Sequence, residues 1–371
     1  MAEEHAPVIT EKRNGVGWIR LNRPKALNSL NVEMVESIYT TLRKWREDEE
    51  VKLLCLAGEG EKGFCAGGDI RSLYEAKESN VKEMAVQFFG VEYKMDLLLR
   101  HYPKPVLTLM NGIVMGGGVG ISEGTTYRIV SDNTKWAMPE MNIGFFPDVG
   151  ASFFLNQMPG YLGRYLALTS TVIKAEDVIY ARAADDLVPS RQWGPFVKEL
   201  EEADFREGDV NEKVKAIISR FSEKTDVFSL QSIQGKIDKH FRHNKVEKII
   251  ESLSAERNDK WAEKTLQTIR GLSALSLKTT LEQIVRGEHA SVLDCFQMEM
   301  ELSMNFMDNP DFYEGVRSVL VDKDRNPQWT YKRLEDVTDN MVTDMFCYFD
   351  SKDYHPLAHY ENVLHGNKYI H

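Results

Sequence analysis

Twice in its first third the chain runs from an apolar, β-prone segment into a glycine-rich loop, and this repetition limits the possible folds more than any other feature. The first instance is Leu53 to Ala57 followed by Gly63-Phe64-Cys65-Ala66-Gly67-Gly68-Asp69-Ile70. The second is Val106 to Met110 followed by Asn111-Gly112-Ile113-Val114-Met115-Gly116-Gly117-Gly118-Val119-Gly120-Ile121. Adjacent glycines lose much backbone entropy on ordering, so they are expected where the chain needs positive φ or a close approach. A lone glycine cluster is most simply a tight strand-to-helix turn. Two of them, each after a buried strand, also offer free N–H groups able to hold a developing oxyanion.

The flanking segments extend this pattern. Val8 to Thr10 and Trp18 to Leu21 read as strands about an Asn14-Gly15 turn, and Asn31 caps a helix through Met34, Ile38, Leu42 and Trp45. Asp69 is placed to cap a helix toward Glu78. The stripe Met84, Phe88, Val91, Met95 and Leu98 predicts a helix from about Asn80 to Arg100. On that helix Glu92, taken alone, reads as a solvated residue. Tyr127 to Val130 and Trp136 to Met138 are further strands, and helices follow over Ala151 to Met158, Tyr161 to Leu168 and Ala175 to Ala183, with a short strand at Leu187-Val188. Strand, helix, strand alternation points to an α/β fold of stacked β/α units.

A composition shift near Ala203, with Glu201-Glu202 and Glu207-Gly208-Asp209, places a boundary there. The resulting partition is a core over residues 1–203, a helical region over 204–330 and a tail over 331–371. That helical region can fold back on its own core or pack against a second copy, so a homo-oligomer is open.

Beyond the second glycine cluster lies Met138-Pro139-Glu140-Met141-Asn142-Ile143-Gly144-Phe145-Phe146-Pro147-Asp148-Val149-Gly150. Glu140 and Asp148 are its only acids, each beside a proline and apolar residues. Carboxyls desolvated in such surroundings have raised pKa values, which suits general acid and base roles. Each alone could equally cap a helix.

The net charge of −11 argues against a nucleic-acid footprint, and no long uncharged apolar stretch suggests a membrane helix. Cys55, Cys65, Cys295 and Cys347 have no CxxC spacing, and Cys65 reads as small packing. His355, His359, His365 and His371 in the tail lack converging acids, and Pro356 interrupts helical spacing, so no metal site is expected. The start Met1-Ala2-Glu3-Glu4 shows neither an apolar signal nor an arginine-rich leader, which predicts a cytosolic protein.

The two glycine loops, the Pro139-Glu140 pair and the segment Leu21-Asn22-Arg23-Pro24-Lys25-Ala26-Leu27-Asn28-Ser29-Leu30 together resemble the crotonase (enoyl-CoA hydratase/isomerase) superfamily. The resemblance runs from about Val8 to Trp329 and is most specific over Met138 to Gly150 and Asp311 to Trp329. It implies a crotonase-like ββα spiral core with a helical C-terminal region. It also implies an oxyanion hole from the amides of Gly68 and Gly117, and Glu140 and Asp148 as acting acids. By the same resemblance Glu92 lies in the acyl pocket, and Arg23, Lys25, Ala26, Leu27, Ala66, Gly68, Asp69 and Ile70 contact coenzyme A, which is part of the substrate; no separate cofactor is implied. The superfamily's hydratases carry a second glutamate where this chain has Gly120, and commonly a glycine where it has Asp148. Gly120 disfavours hydration by the two-glutamate route, and Asp148 resembles the 3-hydroxyisobutyryl-CoA hydrolases of the superfamily, which implies thioester hydrolysis.

Overall fold

Asn14 (φ +53°) and Gly15 (φ +85°) adopt the left-handed conformation that a tight hairpin needs, and they join β1 (Val8–Arg13) to β2 (Val16–Leu21). The computed structural model describes residues 6–361. Its remaining strands are β3 (Leu53–Gly58), β4 (Gly63–Cys65), β5 (Val106–Met110), β6 (Ile113–Met115), β7 (Tyr127–Val130), β8 (Lys135–Ala137), β9 (Ile173–Lys174) and β10 (Asp186–Leu187). One sheet has the order β1-β2-β3-β5-β7-β10, the other β4-β6-β8-β9. Within the larger sheet only β1 runs antiparallel to its neighbour; β2, β3, β5, β7 and β10 are parallel, as crossover connections require.

Contacts gather the chain into two compact units. The first comprises residues up to Gly68, Val91–Trp136 and Ile173–Gln231, and the second Asp69–Gly90, Ala137–Val172 and the chain from Ser232 onward.

In the first unit the larger sheet is covered by helices because its strands alternate in side-chain direction. Val16, Trp18, Leu53, Cys55, Leu107 and Leu109 pack with Phe196, Leu200, Val214 and Ile217 from the helices Ser190–Glu202 and Val210–Phe221. Gly17, out of step with Val16 and Trp18, receives the Trp45 ring, since a Cβ there would lie 2.7 Å from it. Trp45 ends the buried stripe of helix Val32–Arg46, whose Asn31 cap accepts from the Met34 amide as expected. The acidic connection near Ala203 lies inside this unit: Phe205 is buried, and its amide donates to the Asn14 carbonyl at 2.8 Å.

The second unit is mainly helical, including Leu162–Thr169, Ala274–Gly287, Val292–Phe306 and Pro310–Val316. Around Phe145 gather Phe146, Phe306 and Phe312 at 4.5, 5.3 and 5.5 Å between ring centroids, fixing the segment that joins the two acids. Among the described residues no helix is long and apolar enough to cross a membrane.

Candidate active site

Two constellations hold the residues singled out from the sequence, one in each unit. In the first unit, strand β6 ends at Met115, and Gly116 (φ +50°, ψ −121°) turns the chain into helix Gly117–Glu123, whose first amides have no intrahelical partner. Gly67 (φ +110°) does the same after β4, and its carbonyl accepts from the Leu30 amide at 2.8 Å. The two loops touch through their glycines. A Cβ on Gly117 would sit 3.3 Å from the Gly68 nitrogen and 2.6 Å from Glu92 Oε1, and one on Gly118 would sit 2.4 Å from the Cys65 carbonyl oxygen. Close backbone approach is therefore what these glycines permit, and it brings the amide of Gly68 beside Gly117.

Glu92 lies next to them at 1% exposure, so the solvated residue that its neighbours alone suggested is in fact buried. Helix Val81–Arg100 is buried nearly all round in its second half, where Asp96 is also enclosed. The Cys65 thiol is pushed up to about 12, first by burial, which suits packing rather than nucleophilic work.

The segment before the first helix docks on the same loop. Pro24–Ala26 forms one 3-10 turn, Leu27 and Asn28 have φ of +52° and +58°, and the Leu27 carbonyl accepts from the Ala66 amide at 3.0 Å. Arg23 donates through Nη1 to the Ser29 carbonyl at 2.7 Å, whereas Lys25 and Ala26 face solvent. Asp69 and Ile70 open the second unit. Asp69 stands at the N-cap position of helix Ile70–Glu75, but its side chain makes no capping bond there, contrary to expectation.

In the second unit Glu140 starts a 3-10 turn (Glu140–Ile143) that is pressed against helix Pro310–Val316. A Cβ on Gly144 would meet the Asp311 carbonyl oxygen at 2.3 Å, and one on Gly315 would meet the Ile143 carbonyl carbon at 2.2 Å. Backbone thus seats on backbone. Asp311 is itself anchored, its carboxylate accepting from Ser273 Oγ at 2.7 Å and the Thr330 amide at 2.6 Å, while Trp329 donates to the Gly271 carbonyl. The Asp311 to Trp329 stretch thus shapes the backbone platform against which the Glu140–Ile143 turn sits.

Glu140 and Asp148 are 7% and 6% exposed. The Glu140 carboxyl is held well above its ordinary value of 4.5, chiefly because burial disfavours its charged form and next because Asp148 is near. Among the described residues its Oε2 has no hydrogen-bond partner. After Asp148, Val149 (φ +54°) and Gly150 (φ +88°) make a left-handed turn into Ala151–Phe154.

Three residues at this turn escaped the sequence reading. Glu299 accepts from the Gly150 amide, the Ser152 amide and Ser152 Oγ at 2.6, 2.8 and 2.6 Å, and Gln283 donates to the Pro147 carbonyl at 2.6 Å. A signal existed for the first, since Cys295, Glu299, Leu302 and Phe306 share one helical stripe and only one of them is charged.

In the tail, His355 donates through Nε2 to the Gln297 carbonyl and accepts at Nδ1 from the Leu357 amide, and His359 is exposed beside Asp353. His365 and His371 lie outside the described residues. Among the described residues no group of three potential metal ligands is found.

The sequence matches the enoyl-CoA hydratase/isomerase family over residues 16–346. The chain belongs to the crotonase family. Crotonase-family relatives include the mitochondrial 3-hydroxyisobutyryl-CoA hydrolases of Danio rerio, 39% identical over 93% of this chain and 91% of that protein, and of Homo sapiens, 37% identical over 93% and 90%. Among solved structures, a carnitinyl-CoA dehydratase from Mycobacterium thermoresistibile superposes with a TM-score of 0.86 at 34% identity, covering 93% of this chain and 97% of that one. An enoyl-CoA hydratase from Rhodobacter sphaeroides gives 0.83 at 33% identity, covering 92% and 97%. The crotonase-like α/β fold expected from the sequence is therefore correct. The cytosolic expectation is not: the hydrolases it resembles are mitochondrial, and an acidic first few residues proved no guide to compartment.

Proposed function

We propose that the chain hydrolyses the thioester of a short branched 3-hydroxyacyl-CoA, 3-hydroxyisobutyryl-CoA, to 3-hydroxyisobutyrate and free CoA. The observation that carries this reading is the buried pair Glu140 and Asp148 in a chain with glycine at position 120. A glycine side chain carries no proton, so the two-glutamate route to hydration lacks one of its acids. Relatives named as hydrolases of this substrate, 37% and 39% identical over more than nine-tenths of the chain, support the same choice.

In the proposed reaction the thioester oxygen takes negative charge and is held by the Gly68 and Gly117 amides, each worth about 3 kcal/mol to the transition state when well aimed. Ionised Glu140 either attacks the thioester carbon, breaking the C–S bond to give a mixed anhydride that water then cleaves, or removes a proton from the attacking water. Asp148 orients the 3-hydroxyl or the water and supplies the proton that the departing thiolate takes up. Glu92 lines the acyl group, and Arg23, Lys25, Ala26, Leu27, Ala66, Gly68, Asp69 and Ile70 contact the CoA part. The reaction needs no cofactor, and the acyl-CoA is the partner implied.

The solved structures named for hydration and dehydration supply the competing reading, which fold alone does not decide. Free-thiol release from 3-hydroxyisobutyryl-CoA, measured beside loss of crotonyl-CoA absorbance, separates the two. Thiol from the first substrate alone is expected; loss of the crotonyl signal without thiol overturns the proposal. Glu140→Gln is expected to keep CoA binding while kcat falls about 10²–10⁴-fold, and full activity would remove Glu140 from the mechanism.

A further inference from the structure

A buried carboxyl is tolerated only when its hydrogen-bonding capacity is met, and the three donors to Glu299 all come from the two residues that frame the exit of the Asp148 turn. Glu299 is fully buried on helix Val292–Phe306, with Oε2 taking the Gly150 amide and Oε1 taking the amide and hydroxyl of Ser152. On the other side of Asp148, Gln283 holds the Pro147 carbonyl and also donates to Ser152 Oγ at 2.9 Å, closing one network around the turn. The turn itself is strained. Val149 is β-branched, yet its φ of +54° lies in the left-handed region, a state that persists only where surrounding bonds over-determine it. Any side chain at Gly150 would be strained, because its φ is +88° and a Cβ there would lie 2.8 Å from the Phe296 ring.

We propose that Glu299 is a positioning residue for the reaction: by bonding the Gly150 and Ser152 amides it holds Val149 left-handed and so fixes the direction of Asp148. This rests on the hydrolase reading given above. An apolar residue would fill the same volume, but it would leave two turn amides without an acceptor and release the strain at Val149. The burial that makes this acid costly also raises its pKa to about 8, which its bonds to the turn only partly offset.

Glu299→Gln keeps the shape but has one acceptor oxygen, so one of the two amides must face an NH2 group. Misplacement of Asp148 by a fraction of an ångström is expected to lower kcat about 10–100-fold with KM within about twofold. The decisive measurement is the cycle with Asp148→Asn: a residue acting only through Asp148 costs nothing further once Asp148 has lost its acid. Additive losses in that cycle, or a folded Glu299→Gln with parental kcat, overturn the inference. Should Glu299→Gln not fold, Ser152→Ala decides. It removes one of the three donors, and a severalfold kcat loss that vanishes in the Asp148→Asn background supports the inference, whereas parental kcat overturns it. Full activity of Asp148→Asn alone also overturns the inference, because Asp148 would then take no part in the reaction, whereas absence of thiol release from the parent protein sinks the hydrolase reading itself, so the two failures are distinct.

Discussion

Gly118→Ala isolates the contact between the two glycine loops. The alanine Cβ would lie 2.4 Å from the Cys65 carbonyl oxygen, 2.8 Å from its Cβ and 3.0 Å from its carbonyl carbon, while ordinary contact begins at 3.4 Å. The atoms met are backbone or fixed to it, so no side chain can swing aside, and the loops must part by about 1 Å. Alanine in a helix is worth about 1 kcal/mol over glycine, which taken alone predicts a stabilised variant. Overpacking costs about 1–3 kcal/mol, and a displacement of this size belongs at the upper end, so the net effect is a modest loss of stability. Function suffers more. Oxyanion donors work within about 2.7–3.1 Å of the oxygen, and in the proposed oxyanion hole moving the Gly117 amide by most of an ångström relative to Gly68 would remove one of them, about 3 kcal/mol or 10²-fold in kcat. Thiol release from 3-hydroxyisobutyryl-CoA gives kcat, and thermal unfolding checks that the variant is folded. A folded Gly118→Ala with kcat within about twofold of the parent would refute the reasoning, because the donors would then not depend on this approach.

Other consequences are open to equally direct tests. Because burial and Asp148 both raise the Glu140 pKa, the ionised form that both routes of the proposed reaction use appears only above the usual glutamate range, and the acid limb of kcat/KM should lie above pH 4.5. In the residual activity of Asp148→Asn that limb should move to lower pH, and an unmoved limb contradicts the coupling. Glu299 binds its proton more tightly in the folded than in the unfolded chain, so its contribution to stability is full below about pH 4.5 and is lost as pH rises through about 8. Glu299→Gln should accordingly flatten the dependence of unfolding free energy on pH across that window, which denaturant titrations at several pH values would reveal. Asp311→Ala strips the acceptor from Ser273 Oγ and the Thr330 amide and should cost about 2–5 kcal/mol in stability, with loss of activity through the platform under Glu140; an unchanged denaturation midpoint would contradict it.

Much of this fold was legible because local chemistry and tertiary structure agree. The Asn14-Gly15 hairpin, the Asn31 cap and the strands feeding each glycine loop are encoded within a few residues, and the parallel sheet follows from their alternation. Glu140 and Asp148 stood out because acids are rare in an apolar, proline-bearing stretch. What was not legible depends on partners far along the chain. Glu299 is 149 residues from the Gly150 amide that it accepts, and nothing near Glu92 announces that glycine backbone will close over its carboxyl. The Asp69 side chain shows the opposite failure: the right residue type at the right position makes no cap.

The cysteines turn burial into a clock. Burial pushes the Cys65 and Cys295 thiols up to about 12 and the Cys55 thiol higher still, while Cys347 alone of the four is exposed. In the native state an alkylating reagent therefore meets one reactive thiol, and each further thiol that becomes labelled records an opening event. Cys55 lies in the sheet of the first unit and Cys295 in a helix of the second, so each unit carries its own reporter. Comparing their labelling rates in one sample would time the opening of the two units separately, with no added probe and no change to the sequence.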